Sequence, residues 1–259
     1  MKKITLLVFL LFSLILTACV NDQNNASATD KPVKLMVSAA TSLTAAMEEI
    51  QVLYESQNNV LLTFNIGGSG SLAQKIQQGA PVDVFISANL EWMDTLDREN
   101  LIIRETREDI TGNKLVLITG NNSPIDYESI EDISANDIAQ FAIGNPESVP
   151  AGMYSKQLLH TLDMWDSLED KLVLAKDVRQ VLTYVETGNV DIGFIYESDA
   201  LTSESIKVLA TVEDGFHDPI IYPAAVLKDS KHENEASDFV EFMASDEAQM
   251  IFVKHGFRK

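Results

Sequence analysis

Strand-like and helix-like stretches alternate along most of the chain. Runs of β-branched and apolar residues indicate strands, and apolar positions three or four residues apart indicate amphipathic helices. Strands are predicted at 33–39, 60–66, 82–87, 114–119, 140–144, 172–175, 190–196, 208–210 and 220–226. Helices are predicted at 43–57, 71–78, 91–100, 154–164, 178–187 and 236–252, with a short one near Ile130. This order predicts an α/β fold of mainly parallel sheets flanked by helices, with ligands at the carboxyl ends of strands.

One strand-to-helix connection is rich in glycine and serine. In the segment VLLTFNIGGSGSLAQKIQQ, residues 60–78, the strand pattern breaks at 67–71 and a helix pattern follows. The first amides of a helix have no partner within the helix and carry the positive end of its dipole. Glycines let the backbone approach a bound oxygen, and Ser69 adds a hydroxyl donor. The loop is therefore predicted to form half of an anion-binding site.

Three further connections place small or hydroxyl residues between a strand and a helix. They contribute Ser42, the amide of Ala151 after a proline, and the amide of Val178 beside the cap residue Asp177, while Tyr196 ends the strand VDIGFIY. Taken singly, Ser42 and Asp177 also fit helix caps, and Tyr196 fits a core position. Taken together, they predict a site in which neutral donors from both halves of the chain hold a tetrahedral dianion.

The N-terminus has the pattern of an export signal. Lys2 and Lys3 precede an apolar run at 4–16 that is too short to span a bilayer, and Leu-Thr-Ala-Cys ends at Cys19. This ending resembles a bacterial lipoprotein signal, which implies a signal peptide at 1–18, lipidation of Cys19 and a polar tether at 19–31. An ordinary signal peptide with an incidental cysteine is the alternative. Either way the protein is expected outside the cytoplasmic membrane, anchored to it if Cys19 is lipidated.

Charge and cysteine content restrict the possible partners. The formal charge is −20 with no Lys/Arg cluster, which excludes a nucleic-acid-binding surface. Cys19 is the single cysteine, so a disulfide framework and a thiolate metal cluster are excluded as well. Salt screens the repulsion between distant charges over about 8–10 Å at physiological ionic strength. The donors next to the ligand therefore decide whether an anion binds to this acidic protein.

Four stretches carry a resemblance to a known family. They are VSAATSLTAAMEEI, GGSGSLAQKIQQGAPVDVFISANLEWMD, IGNPESVPAGMYSKQLL and AKDVRQVLTYVETGNVDIGFIYESDA. They resemble the periplasmic molybdate-binding proteins of molybdate ABC transporters, and the match runs from about Lys34 to Phe257. The resemblance implies a two-lobed type II solute-binding fold that closes on molybdate or tungstate and delivers it to a membrane permease. It implies no catalysis and no cofactor, and a monomer is expected.

The resemblance also assigns oxyanion contacts residue by residue. They fall on the hydroxyls of Ser42, Ser69 and Tyr196 and on the amides of Ala151 and Val178. The chain departs from the family pattern at Thr41, where alanine is frequent, and at Gly68 and Gly70, where serines are frequent. These departures put the number of donors in the glycine loop in doubt.

In such folds the chain crosses twice between the lobes. The candidate crossings are 111–113 and the region around 222–223. The first lobe is therefore predicted at 31–112 plus 223–259, and the second at 113–222.

Several other functions compete with an oxyanion receptor for molybdate. The second-ranked function is a receptor for sulfate or another tetrahedral oxyanion, which differs from a molybdate receptor in the radius of the cavity. A metal-cation receptor would use Tyr154 and Tyr196. A serine hydrolase would need a G-x-S-x-G elbow, which ends in Ser71 here, and one of four histidines without suggestive context. The glycine loop also fits the dinucleotide fingerprint, but the acidic residue at a later strand end is missing.

Overall fold

The computed structural model describes residues 31–259 of the chain. The predicted signal peptide, Cys19 and nearly all of the tether therefore lie outside the described residues. Within 31–259, no helix is long and apolar enough to cross a membrane.

The described strands form two five-stranded sheets. Strands β1 to β10 are Val33–Ala40, Val60–Gly67, Val84–Ile86, Glu108–Gly112, Leu115–Gly120, Phe141–Gly144, Leu172–Ala175, Ile192–Tyr196, Ile206–Thr211 and Ile221–Val226. The first sheet has the order β2-β1-β3-β10-β4 and the second has the order β7-β6-β8-β5-β9. Each sheet has two parallel pairs and two antiparallel pairs, so both sheets are mixed. The predicted alternation accounts for the parallel pairs, and the antiparallel pairs involve the strands next to the crossings.

The described helices cover both faces of each sheet. Helices α1 to α9 are Thr44–Gln57, Ser69–Gln77, Leu90–Arg98, Pro150–Thr161, Trp165–Leu168, Val178–Glu186, Glu197–Ala200, Glu233–Met243 and Asp246–Lys254, with short 3-10 turns at Thr41–Leu43, Arg104–Thr106, Ile130–Asp132 and Glu169–Lys171. Apolar residues of α1 and α8 pack on one face of the first sheet, and those of α2 and α3 pack on the other. In the second sheet, α4 and α6 take the corresponding positions.

Several elements differ from the sequence prediction. Helix α4 begins at Pro150 and ends at Thr161, whereas it was predicted at 154–164, and the short helices α5 and α7 were not predicted. Strand β4 was not predicted, because its pattern EDITG has only one large apolar residue. The long C-terminal helix is two helices, since the Ser245 hydroxyl accepts from the amide of Ala248 and starts α9 anew.

The chain changes sheet between Gly112 and Leu115 and again between Thr211 and Ile221. The predicted lobe boundaries remain a prediction, and Tyr222 and Pro223 lie inside β10 at a shift of its register with β4.

Strand register brings the predicted site residues to one edge of each sheet. Ala40 pairs with Gly67 at the carboxyl ends of the parallel strands β1 and β2. Gly144 pairs with Ala175 at the ends of β6 and β7, and β8 runs parallel to β6. The connections that follow these strands therefore start side by side within each sheet.

Candidate functional site

The five predicted site residues line a single cavity between the two sheets. Its volume is about 10 Å³, counted as space open to the centre of a water molecule, and its walls come from the connections after β1, β2, β3, β6 and β7 and from the end of β8. Ser42, Ser69, Ala151, Val178 and Tyr196 all belong to the lining. Each of the five is less than a tenth exposed, so the cavity is closed in this structure. That these residues contact an oxyanion stays a prediction.

The Ser42 hydroxyl lies 2.9 Å from the phenol oxygen of Tyr222. It makes no capping bond to α1, so Ser42 is not the cap of that helix. The amide nitrogen of Asn113 donates to the same phenol oxygen at 3.2 Å, and its own orientation follows from the bond that its Oδ1 accepts from Lys114. Either hydroxyl can donate in this pair, and with Tyr222 as the donor the Ser42 proton is free to point into the cavity.

Ser69 is arranged by the same principle. Its oxygen accepts from the backbone amide of Ala88 at 3.0 Å, and the residue is completely buried at the start of α2. An accepted bond at the oxygen leaves the hydroxyl proton available as a donor. The Ala88 amide therefore holds Ser69 as a donor, and Tyr222 is placed to do the same for Ser42.

Two helix starts supply backbone amides to the cavity. Pro150 occupies the first turn of α4 and presets its backbone, and the amide of Ala151 follows. Asp177 caps α6 by accepting from the amide of Gln180 at 2.9 Å, as its sequence position predicts, and Val178 follows directly. As first-turn amides, those of Ala151 and Val178 have no acceptor within their own helices.

The start of α4 lies unusually close to the end of β6. A Cβ built on Gly152 would fall 1.9 Å from the carbonyl oxygen of Gly144, so no side chain is possible there. This approach holds the amide of Ala151 at the cavity wall.

Tyr196 provides the clearest sign of a missing partner. Its phenol is 1% exposed, and the hydroxyl has no hydrogen-bond partner in the described part of the chain. Burial raises the pKa of Tyr196 well above its ordinary value, so the phenol keeps its proton and remains a donor. A buried donor without an acceptor costs about 1–3 kcal/mol, and an anion in the cavity would remove that cost.

The cavity contains no basic side chain. No lysine or arginine is among its lining residues in the described chain, and Asp177 is its single carboxylate. The Asp177 carboxylate already accepts from the Gln180 amide. Attraction for an anion therefore comes from hydroxyls and helix-start amides.

The two sides of the cavity also contact each other directly. The amide of Gly70 in α2 donates to the carbonyl oxygen of Ser148 at 2.9 Å. A Cβ on Gly70 would lie 2.6 Å from the Trp92 ring and 2.8 Å from the Ser148 Cα. Glycine at this position is thus what allows the first sheet's loop to close against the second.

Histidines and paired tyrosines, which a serine hydrolase or a metal-cation receptor would use, do not meet at this cavity in the described chain. No histidine lines it in the described chain, and the Tyr154 hydroxyl lies outside it and donates to the carbonyl of Pro219. No group of three or more His, Cys, Asp or Glu residues within 31–259 is arranged to hold a metal ion. A larger depression of about 680 Å³, open to solvent, lies at the crossings between the sheets and includes none of the five predicted residues.

A family model for bacterial extracellular solute-binding proteins matches residues 35–258. The chain belongs to this family. Its architecture is accordingly that of the two-lobed periplasmic binding proteins, which confirms the fold expected from the sequence. Members of this family are receptors that bind solutes.

Individual relatives show which members of the family this chain is similar to. This solute-binding protein is 39% identical over 257 residues to YvgL of Bacillus subtilis, whose name describes an ABC transporter substrate-binding lipoprotein; the match covers 99% of this chain and 98% of YvgL. It is 35% identical over 229 residues to the molybdate-binding protein ModA of Haemophilus influenzae, covering 86% and 89% of the two chains. A solved substrate-binding domain of a molybdenum ABC transporter from Clostridium difficile is 44% identical, with a TM-score of 0.69 and coverage of 88% and 99%.

Some residues around the site were not assigned a role from the sequence. Tyr222 and Asn113 were placed near the crossings, and neither was linked to Ser42, from which Tyr222 is 180 residues distant. Ala88 was also missed as the donor to Ser69. No local signal marks such partners, because each belongs to another element that packing brings close.

Proposed function

We propose that this protein is an extracytoplasmic receptor that captures molybdate, and tungstate as its close analogue, and delivers it to an ABC importer. The names of ModA and of the Clostridium difficile domain support the ligand. The cavity supports it independently, since its donors suit a dianion and no side chain in it is arranged for catalysis. Capture and release of an anion by hydrogen bonds requires no covalent chemistry.

The observation that carries this proposal is the buried Tyr196 hydroxyl without a partner. It faces a closed cavity into which two helix starts and two oriented serines also converge. Hydrogen bonds to a charged acceptor contribute about 1.5–3 kcal/mol each, so a handful of them can replace the hydration of a dianion. Neutral donors also avoid the cost of burying a fixed cation.

Binding would proceed in two stages. The anion first meets the donors of one lobe, and the other lobe then rotates in and completes the set. Ser42 and Ser69 follow strands of the first sheet, whereas Ala151, Val178 and Tyr196 belong to the second. The ligand bonds both sides only in the closed form, so it shifts the population toward closure. The closed form would then be recognised by the permease.

The decisive experiment is a titration with molybdate, tungstate, sulfate and phosphate. Calorimetry gives the affinities, and tryptophan fluorescence gives an independent signal because Trp92 lies against the loop that closes on Ser148. A Trp165→Phe variant leaves Trp92 as the single reporter, since Trp165 stacks on His160 instead. Micromolar or tighter binding of molybdate and tungstate, with a negligible sulfate response, is the expected result.

A preference for sulfate would contradict the proposed ligand while keeping an oxyanion receptor. Absence of binding to all four anions would contradict the receptor function itself. Ser42→Ala and Ser69→Ala should each weaken molybdate binding, and unchanged affinity would show that these hydroxyls only support the structure.

Membrane attachment through Cys19 is a further part of the proposal. It is supported by the sequence pattern and by the lipoprotein name of YvgL, which matches nearly the whole chain. Expression of Cys19→Ala should abolish incorporation of a radiolabelled fatty acid and release the protein from the membrane fraction. Equal labelling of the wild type and the variant would contradict lipidation at this residue.

A further inference from the structure

Thr41 has an unexplained hydroxyl at the same cavity. Its Oγ1 is buried and has no hydrogen-bond partner in the described part of the chain, and the residue is 7% exposed. Thr41 opens the 3-10 turn that follows β1 and lines the cavity beside Ser42. A threonine that only shaped this turn would be expected to satisfy its hydroxyl locally.

The hydrogen-bonding groups near this hydroxyl already have other partners. The carbonyl of Thr41 accepts from the Thr44 hydroxyl at 2.6 Å, so the bond that secures the start of α1 is made by Thr44. The neighbouring Ser42 hydroxyl is engaged with Tyr222. Thr41 is therefore dispensable for the turn's hydrogen bonding, and its own donor remains available.

The cavity contains a second buried hydroxyl that has no hydrogen-bond partner in the described chain. Four buried side-chain polar atoms in the described chain lack a partner, and the hydroxyls of Thr41 and Tyr196 are the two that belong to this cavity. Thr41 follows a strand of the first sheet, whereas Tyr196 ends a strand of the second. One ligand with several acceptor oxygens, bound between the sheets, would accept a hydrogen bond from both hydroxyls.

We propose that Thr41 donates a hydrogen bond to the bound oxyanion as an additional ligand contact of this receptor. The inference rests on the proposed function and adds a third side-chain hydroxyl on the side of the first sheet. The alternative is that the hydroxyl serves only to pack the turn.

The test compares three variants by calorimetry with molybdate. Thr41→Val keeps the side chain's shape without the hydroxyl, and Thr41→Ser keeps the hydroxyl without the methyl group. Thr63→Val is the matched control, because Thr63 lies exposed on β2 away from the cavity. We expect Thr41→Val to bind about 10-fold to 100-fold more weakly, and Thr41→Ser and Thr63→Val to stay within about 3-fold of the wild type.

Stability distinguishes a lost contact from a folding defect. Without ligand, Thr41→Val should melt at or above the wild-type temperature, since it removes a buried hydroxyl that has no partner. With saturating molybdate it should gain less in melting temperature than the wild type does.

Two outcomes would overturn the inference alone. In the first, Thr41→Val binds as tightly as the wild type while Ser42→Ala is weakened. In the second, Thr41→Val and Thr41→Ser lose affinity equally, so the hydroxyl is not the cause. If the wild type binds none of the four oxyanions, the proposed function fails first and this inference fails with it.

Discussion

At the scale of single residues, the orientation of each hydroxyl proton decides what the site can bind. A serine that lines a cavity offers either an acceptor or a donor, and a neighbour that donates to its oxygen removes the ambiguity. Ala88 does this for Ser69, and Tyr222 is placed to do it for Ser42. The anion therefore meets donors, which explains how an acidic protein can hold a dianion.

Tyr222→Phe tests whether the Tyr222 hydroxyl orients Ser42, and it changes no residue that lines the cavity. The variant removes the group that holds Ser42, so Ser42 is free to turn its proton away from the ligand. We expect molybdate affinity to fall about 3-fold to 10-fold by calorimetry. Tyr154→Phe is the matched control, because it removes another buried phenol hydroxyl, one that bonds Pro219 outside the cavity. Equal affinities for the wild type and Tyr222→Phe would contradict the orientation of Ser42 by Tyr222.

Asp199 links stability to pH. It is 2% exposed, and its Oδ2 has no partner in the described chain. Burial raises the pKa of this carboxyl to about 7, and nearby Asp177 also raises it while Arg179 lowers it. The folded state thus binds more protons than the unfolded state between about pH 4 and pH 7, so Asp199 destabilises the fold increasingly as pH rises through this range.

Asp199→Asn should remove this dependence. Relative to the wild type, we expect the variant to gain about 2–4 kcal/mol in free energy of unfolding between pH 4 and pH 8, measured by urea denaturation. The comparison at pH 4 separates the effect from any change in packing. Asp170→Asn, at an exposed carboxylate, is the control. A stability difference that is constant with pH would contradict the raised pKa.

At the scale of elements, the starts of helices and the glycine loop set the donors and control closure. Helices α4 and α6 present their first amides because Pro150 and Asp177 fix where they begin. Helix α2 lies close enough to the opposite connection for the amide of Gly70 to donate to Ser148.

Gly70→Ala should prevent this closure. The added methyl group would overlap the Ser148 backbone across the cavity, so the two sides would be held apart, and it would also displace the Trp92 ring on its own side. We expect molybdate affinity to fall more than 10-fold, while the unliganded protein stays folded because alanine favours a helix over glycine. Gly120→Ala is the control, since its Cβ would meet its nearest neighbour at an ordinary 3.5 Å.

Small-angle scattering can show the cause of a weakened Gly70→Ala variant. The wild type should become more compact on addition of molybdate, and the variant should not. A variant that binds and compacts like the wild type would contradict the role given to Gly70.

At the scale of the whole molecule, the net charge opposes the ligand while the cavity attracts it. The chain carries a formal charge of −20, whereas the cavity presents neutral donors. Long-range repulsion is screened by salt, but short hydrogen bonds in a closed cavity are much less affected.

The association rate of molybdate should therefore rise with ionic strength. Stopped-flow fluorescence from Trp92 in the Trp165→Phe variant, at about 20 mM and 300 mM salt, measures this directly. Repulsion between the dianion and the acidic protein is weakened at the higher salt, so faster association is expected. Slower association at high salt would indicate a basic site and would contradict a cavity of neutral donors.

Much of this protein follows from local sequence signals. The alternation of strands and helices, the glycine loop, the Pro150 and Asp177 helix starts and the family resemblance are all readable from neighbouring residues. Backbone preferences and capping within a few positions predict the α/β architecture and the strand-to-helix connections, and the resemblance assigns the five lining residues.

Tertiary structure alone decided how these parts are used. Ser42 fits a helix cap by its position, yet it bonds a tyrosine 180 residues away. The antiparallel pairs, the free hydroxyl of Thr41 and the contact between Gly70 and Ser148 likewise depend on which strand ends meet. Such contacts join segments distant in the sequence, and no local preference determines which partner packing will supply.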